Sequence, residues 1–485
     1  MSERGYKRTL NILMQFIQSL YFWKQRKLEK GKQWFSLLLG DNKQKNNIAV
    51  LDGVRAIACL LVVFFHVNVI SRDGHIWQVA VHPLTSAIVG SIVLAGSSGV
   101  TLFFVLSGFL LFLPYAKSLL FGSTWPSTRL FYLRRVFRIV PAYYVALFLI
   151  ILLFHQEYLQ ANHWNTVGLF LIFFMDAPQT YQQISGPFWT LAVEWQFYMI
   201  LPLLALAMSL IVRRGTLIWR GWTLATCLVG VISWGLLSRY WGNYFSAHPT
   251  QTFLISRPLL NVLLLFLYGS SGKYLEDFAV GMLICLCYVL LQDRAVDSKW
   301  HLSLRQLSPF LLSAGLLVLF FMALWHFNIW YHHYVFHSLD GLFYYYDWLS
   351  EFVLSIGFGL SVAAILFGAA WLKRFFEWTP LRWMGLISFS LYMWHVPLLQ
   401  FFRVDISHQL LGWPHLAVYA LYWIWALSVI IPISLLSYVW IEKPWMAIGE
   451  KFRRRNGSEN AKKEVVAVPA NSTTTTMIEP VLVKQ

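Results

Sequence analysis

The sequence predicts an all-α protein: a polytopic transmembrane helical bundle of about ten spans with both termini cytoplasmic. Hydrophobic residues make up 58% of the chain and charged ones 12%, against about 25% charged in a typical soluble domain. Several runs of about 18 or more apolar residues are long enough to enter and cross a bilayer. They lack the short alternating pattern of a β-barrel, and helices satisfy their own backbone hydrogen bonds in lipid. The formal charge of +16 gathers in the two tails and in short inter-helix loops, which is the positive-inside pattern rather than a nucleic-acid surface. A basic inner face of this kind attracts anionic lipid head groups or an anionic ligand.

Three regions follow in order. Residues 1–48 form a basic segment in which Leu10, Leu13, Phe16, Ile17, Leu20 and Tyr21 recur at helical spacing, as in an amphipathic helix over 8–23 lying on the inner surface. No apolar region with a small-residue cleavage site precedes the first span, so no signal peptide is expected. Residues 49–446 form the transmembrane domain. With the N-terminus inside, spans over 49–70 and 92–113 deliver Lys117, Arg129, Arg134, Arg135 and Arg138 to an inner loop, and the span 139–154 exits at His155.

The apolar runs 164–175 and 259–268 are too short for a ~30 Å core and are read as re-entrant or interfacial pieces. Counting the first as a span would place Arg213, Arg214 and Arg220 outside. Further spans are expected at 188–212, 221–237, 274–292, 309–326, 351–372, 384–402 and 416–440. Lys373, Arg374 and Arg382 then fall inside, with Arg239, Arg257 and Arg403 an outer minority. Residues 447–485 open on a basic cluster and end Thr-rich, as in a disordered cytoplasmic tail. Cys59, Cys227, Cys285 and Cys287 lie in apolar segments without metal or disulfide spacing. No internal repeat supports an inverted-repeat transporter.

The first span carries the sharpest signal. Its stretch LDGVRAIACLLVVFFH holds Asp52, Arg55 and His66, and ionisable groups inside a membrane need a partner or a purpose. Arg55 and His66 are eleven positions apart, almost a whole number of turns, so they share one face about 16 Å apart along the axis. Histidine is the side chain best suited to take a proton near neutral pH. Glu194, about two turns into its span, is placed to orient His66 or to pair with an arginine for packing.

His395, two residues before Pro397, maps to a similar depth and serves the acceptor or the structure; Trp189 and Asp52 are held with it as acceptor-side or structural candidates. Asp52 and Arg55, three apart, can pair with each other. The Arg134, Arg135 and Arg138 cluster is either a topological anchor or a phosphate clamp. Ser107, in a run of small residues within an apolar helix, reads as helix packing rather than a nucleophile. The histidines over 326–337 lack ligand partners at metal spacing, so an aromatic interfacial loop is expected there and no metal is called for.

Six stretches in order carry a resemblance: LDGVRAIACLLVVFFH, VTLFFVLSGFLL, RRVFRIVPAYY, FWTLAVEWQFYMILPLL, GLISFSLYMWHVPL and SYVWIEKPW. Across residues 48–446 the chain resembles the acyltransferase-3 family, membrane acyltransferases of the O-antigen acetylase type. The resemblance implies transfer of an acyl group, most often acetyl, from cytoplasmic acyl-coenzyme A to a hydroxyl of a carbohydrate or glycolipid acceptor at the cell membrane. It implies that Arg55 and His66 are the paired essential residues, that Arg134, Arg135 and Arg138 attend the acyl-CoA, and that Glu194 closes the Trp-x-Leu-x-x-Glu motif. Trp195 stands where many relatives have a second acid. His66 would act as general base or transient acyl carrier. The competing reading is a proton-coupled transporter or flippase for a glycolipid or polysaccharide precursor, in which Arg, Glu and His form a buried path.

Overall fold

A computed structural model describes residues 49–71, 83–292, 298–330, 336–410 and 412–452. The expected interfacial helix over 8–23, the tail beyond 452, and His332 and His333 lie outside them. Among the described residues every element is helical and no strand occurs. The all-α membrane-protein class read from composition is what the structure has.

The chain opens with α1 (Ala49–Ile70), then α2 (Pro83–Ala95), which passes through a 3₁₀ turn at Gly96–Ser98 into α3 (Gly99–Phe121). Gly122, at φ 68°, ends α3 in the left-handed conformation that favours glycine. The Ser127 hydroxyl caps α4 (Thr128–Phe154), and the short α5 (Trp164–Leu171) precedes α6 (Phe188–Val212). There follow α7 (Leu217–Ala247), α8 (Arg257–Leu267), α9 (Leu275–Leu291), α10 (Ser298–Trp330) and α11 (Phe343–Phe367). The chain then forms α12 (Ala370–Phe376), α13 (Thr379–Leu386) and α14 (Ser388–Phe401). It closes with α15 (His415–Trp425) and α16 (Ile431–Ser437), continuing helical to Phe452 through π turns at Ala426–Ile430 and Tyr438–Glu442.

Eight of these stretches are long and apolar enough to cross a membrane: Ala49–Ile70, Ala87–Phe121, Thr128–Phe154, Phe188–Val212, Leu217–Ala247, Leu302–Trp330, His337–Phe367 and His415–Phe452. The segment expected as one straight span over 384–402 is instead bent by 70° between Thr379–Leu386 and Ser388–Leu410. Just before the bend Gly385 lies so close to α1 that a Cβ there would collide with the Asp52 carbonyl, so the absence of a side chain lets α13 pack against α1 before the chain turns. The segment expected over 274–292 is the 17-residue α9, about 25 Å long. The 8-residue α5 and 11-residue α8 are only about 12 and 16 Å long. Both are shorter than the ~30 Å hydrocarbon core of a bilayer.

Lipid offers no hydrophobic drive between helices, so close backbone approach has to hold the bundle. The central α3 meets α9 through reciprocal glycines: a Cβ on Gly108 would strike the Phe278 carbonyl, and one on Gly281 the Val105 carbonyl. Around that crossing Phe109, Phe112, Tyr115 and Phe278 are fully buried. By contrast Leu210, Trp222 and Leu317 stand more than two-thirds exposed on the outside, the face a bilayer would cover. Gly53 similarly lets α12 lie against the first turn of α1, its Cβ position falling on the Phe376 carbonyl. This contact and that of Gly385 fix the turn that carries Asp52 and Arg55.

Two of the three arginines expected on the outer side, Arg239 and Arg257, have local partners. Arg239, 4% exposed, pairs with Glu276, 1% exposed, at 2.6 Å and lies over the Tyr274 ring at 4.4 Å. Arg257 donates to the carbonyls of Phe245, His248 and Gln251. Thr101 of α3 donates to Glu351 of α11 at 2.7 Å, and Lys273 pairs with Asp176.

Candidate active site

The bundle encloses a cavity of about 320 Å³. It lies where α1, α3, α4, α6, α14 and the last span converge. Leu51, Asp52 and Arg55 of α1 form one wall, Arg135, Arg138 and Ile139 of α4 another, and Glu194 and Tyr198 of α6 a third. The charged groups on this surface are three arginines, Arg55, Arg135 and Arg138, and three carboxylates, Asp52, Glu194 and Glu442. Sequence reasoning scattered five of these six over three helices; the fold puts them in one chamber.

The charges are unevenly satisfied. Asp52 carries an ion pair with Arg382 of α13 at 3.9 Å, and it lies within Coulombic range of Arg55, the partner the sequence suggested. Counting Arg382 with the lining groups, four arginines meet three carboxylates, a formal surplus of one positive charge. Arg55 lies within Coulombic range of the like charge of Arg138 and of the opposite charges of Asp52 and Glu194. The Arg135 guanidinium lies over the Tyr198 ring at 5.7 Å, and its buried Nε has no hydrogen-bond partner. A buried donor without a partner costs free energy unless something accepts from it. Arg134 differs: its Nε donates to the Leu130 carbonyl of its own helix at 3.2 Å, and it does not line the cavity.

Glu194 accepts from Ser107 Oγ at 2.6 Å. Ser107 thus faces the cavity, as a hydrogen-bond donor to a carboxylate. Glu442, missed by sequence reasoning, is 3% exposed, sits at the end of the π turn Tyr438–Glu442 and accepts from Ser390. The signal available was a carboxylate inside an apolar closing span, the same argument that singled out Glu194. π turns also recur at functional sites.

His66 and His395 do not line this cavity. They form a separate pair about three turns further along α1, with ring centroids 4.9 Å apart and the planes at 71°. His395 Nε2 lies 3.2 Å from His66 Nδ1, which is also 2.9 Å from the Val62 carbonyl. His395 Nδ1 lies 2.8 Å from the Tyr392 carbonyl and 3.1 Å from that of Leu391. The ring that meets His66 is therefore His395, while Glu194 meets Ser107.

Tyr392 stands between the two groups. It lines the cavity, its hydroxyl bonds Thr190 Oγ1 at 2.7 Å, and its ring centroid is 5.5 Å from that of His395. Trp189, next to Thr190, packs on Tyr274 and Tyr181 at 5.5 and 5.6 Å and not on the cavity. Among the described residues no group of three or more His, Cys, Asp or Glu side chains is arranged to hold a metal ion.

A chamber lined by arginines, with Tyr392 on its wall and a histidine pair beyond it, defines a polytopic membrane protein with an internal reaction or transport site. Comparison with known proteins narrows the class. The family described as an acyltransferase domain, the acyltransferase-3 family, matches residues 48–439. The chain belongs to that family of membrane proteins.

It is 25% identical over 384 residues to the peptidoglycan O-acetyltransferase OatA of Listeria monocytogenes, covering 72% of this chain and 49% of that protein. It is also 25% identical over 428 residues to YrhL of Bacillus subtilis, provisionally named a peptidoglycan O-acetyltransferase, covering 84% and 56%. The chain thus spans about half the length of these relatives. No solved structure matches it.

Proposed function

We propose that this protein is a membrane O-acyltransferase that moves an acetyl group from acetyl-coenzyme A, on the cytoplasmic side, to a hydroxyl of a cell-surface glycan. The single observation that carries the donor half is the Arg135 Nε, buried without a hydrogen-bond partner on a cavity wall that also holds Arg138 and Arg55. Arginine forks suit phosphate, so these side chains would hold the anionic end of the donor. The cavity, at about 320 Å³, is at the small end of ligand pockets, roughly 300–1,000 Å³. That suits the acyl-bearing arm rather than a whole nucleotide. The names of the relatives support acetyl as the group and a glycan as the acceptor.

In this reading Arg55 marks the donor end of α1 and His66 the acceptor end. His66 acts as general base. Its Nε2 takes the hydroxyl proton as the acceptor oxygen forms a bond to the acyl carbonyl carbon. The carbon–sulfur bond then breaks, and the imidazolium returns the proton to the departing thiolate, giving ester and free thiol. Glu194, held by Ser107, offsets the arginine charge in the chamber. Tyr392 has to move aside for the thioester to pass from cavity to His66.

The test uses the full-length chain reconstituted in liposomes with acetyl-coenzyme A and oligomers of N-acetylglucosamine. Oligomer-dependent release of free thiol, matched by alkali-labile acetyl on the oligomer, is expected. Acceptor movement without thiol release would replace the enzyme reading with the transporter. Ester formed from a different acetyl donor, with acetyl-coenzyme A inert, would overturn the donor assignment.

A further inference from the structure

We infer that His395 is the positioning residue for His66, doing with a neutral imidazole what a carboxylate does in hydrolase triads. The inference rests on the reading of His66 as base.

The argument is one of proton bookkeeping on four nitrogens. A backbone carbonyl accepts hydrogen bonds and cannot donate them. His395 Nδ1, 2.8 Å from the Tyr392 carbonyl and 3.1 Å from that of Leu391, therefore carries the proton. In the neutral ring its Nε2 is then a lone pair, and that lone pair lies 3.2 Å from His66 Nδ1. His66 Nδ1 has a second neighbour, the Val62 carbonyl at 2.9 Å, which also only accepts. Both neighbours demand a proton on His66 Nδ1, so the tautomer of His66 is fixed and its Nε2 lone pair is the free one. His66 is half-buried, whereas His395 is fully buried. The ring with the free lone pair is thus the more accessible of the two.

The geometry also says what His395 cannot do. A proton passed from His66 Nδ1 to His395 Nε2 would displace the His395 Nδ1 proton towards a carbonyl, which has nowhere to send it. The relay stops there. His395 therefore stabilises the positive charge that appears on His66 when its Nε2 is protonated, and returns to its starting state when that proton leaves. Atoms and charge balance without an outside proton carrier. Glu194 is not needed for this role, being bonded to Ser107.

Hydrogen bonds to charged groups are the stronger class, and losing one that strengthens as His66 gains its charge in the transition state lowers turnover by up to about 10- to 150-fold. The experiment compares His395→Phe, His395→Gln and His66→Ala in the full chain. His395→Phe removes the acceptor and keeps an aromatic ring in place; His395→Gln returns an amide oxygen near the Nε2 position. With acetyl-coenzyme A and N-acetylglucosamine oligomers, His395→Phe is expected to lower kcat by that factor with the KM for acetyl-coenzyme A unchanged, and His395→Gln to recover most of the loss. In parallel, diethyl pyrocarbonate modification of His66, read by mass spectrometry, is expected to slow severalfold in His395→Phe and to recover in His395→Gln.

A structural role would not give a kcat loss rescued by glutamine at constant KM. A folded His395→Phe protein with kcat within about twofold of the parent and unchanged His66 reactivity overturns the inference. If His66→Ala retains full transfer, the base reading itself fails. If His66→Ala abolishes transfer and His395→Phe does not, only the role of His395 fails. The reactivity measurement needs neither donor nor acceptor, so it decides for His395 even if these probes give no transfer.

Discussion

Neutralising the arginines of α4 one at a time separates a donor clamp from a topological anchor. Arg135 and Arg138 line the cavity, and Arg135 Nε is buried without a partner; Arg134, one residue away, is turned back onto the Leu130 carbonyl. All three are equal contributors to a positive-inside anchor. Only two are placed to meet an anion. A hydrogen bond to a charged group is worth about 1.5–3 kcal/mol, which corresponds to about 10- to 150-fold in binding at 1.36 kcal/mol per decade. Arg135→Gln and Arg138→Gln are therefore expected to raise the KM for acetyl-coenzyme A by that range each. Their kcat should change little, because an interaction remote from the reacting atoms is made equally in ground and transition states. Arg134→Gln should leave KM within about twofold. The assay is initial-rate thiol release from proteoliposomes over a donor titration. Equal effects at all three positions, or none at any, would refute the assignment and leave the cluster an anchor.

Other outcomes follow from the same geometry. Ser107→Ala removes one hydrogen bond to Glu194 and is expected to cost less than about 150-fold in kcat, whereas removal of a nucleophile costs nearer ~10⁶; initial rates distinguish the two. Glu276→Gln removes the carboxylate paired with the buried Arg239 and should destabilise the fold by about 3–5 kcal/mol, measured by denaturant unfolding in detergent; a change below about 1 kcal/mol would contradict that pairing. Gly281→Leu drives a side chain into the Val105 carbonyl and should abolish monodisperse protein in size-exclusion chromatography. Gly230→Leu, with open space at its Cβ position, should be tolerated.

Much of the fold was legible because membrane helices answer to length and apolarity alone. The spans 49–70 and 188–212 coincide with α1 and α6 at both ends, and the two short runs were too short on any register. What composition did not reveal was the bend before α14, beside which Gly385 meets the Asp52 carbonyl, a contact between segments more than three hundred residues apart. At the site, the cost of buried charge pointed to Arg55, His66 and Glu194 individually. It could not say which would pair. Asp52 and Arg55, three apart on one helix, lie within Coulombic range, and the fold adds an ion pair from Asp52 to Arg382 that no local spacing announces. Glu194 and His66 were matched on depth alone, and depth does not specify azimuth; the structure turns Glu194 towards Ser107 and brings His395 to His66. Glu442 was passed over because the expected span over 416–440 stops two residues short of it, whereas the helix runs on to Phe452.

The central claim is that one face of α1 links a donor on the cytoplasmic side to an acceptor on the other, about 16 Å away. The direct measurement uses sealed vesicles carrying the protein in a single orientation, with N-acetylglucosamine oligomers trapped inside and acetyl-coenzyme A added outside. With the cytoplasmic face outward, acetyl ester on the trapped oligomers is predicted, and none in vesicles of the opposite orientation. Ester that forms only when donor and acceptor share a compartment would contradict the account.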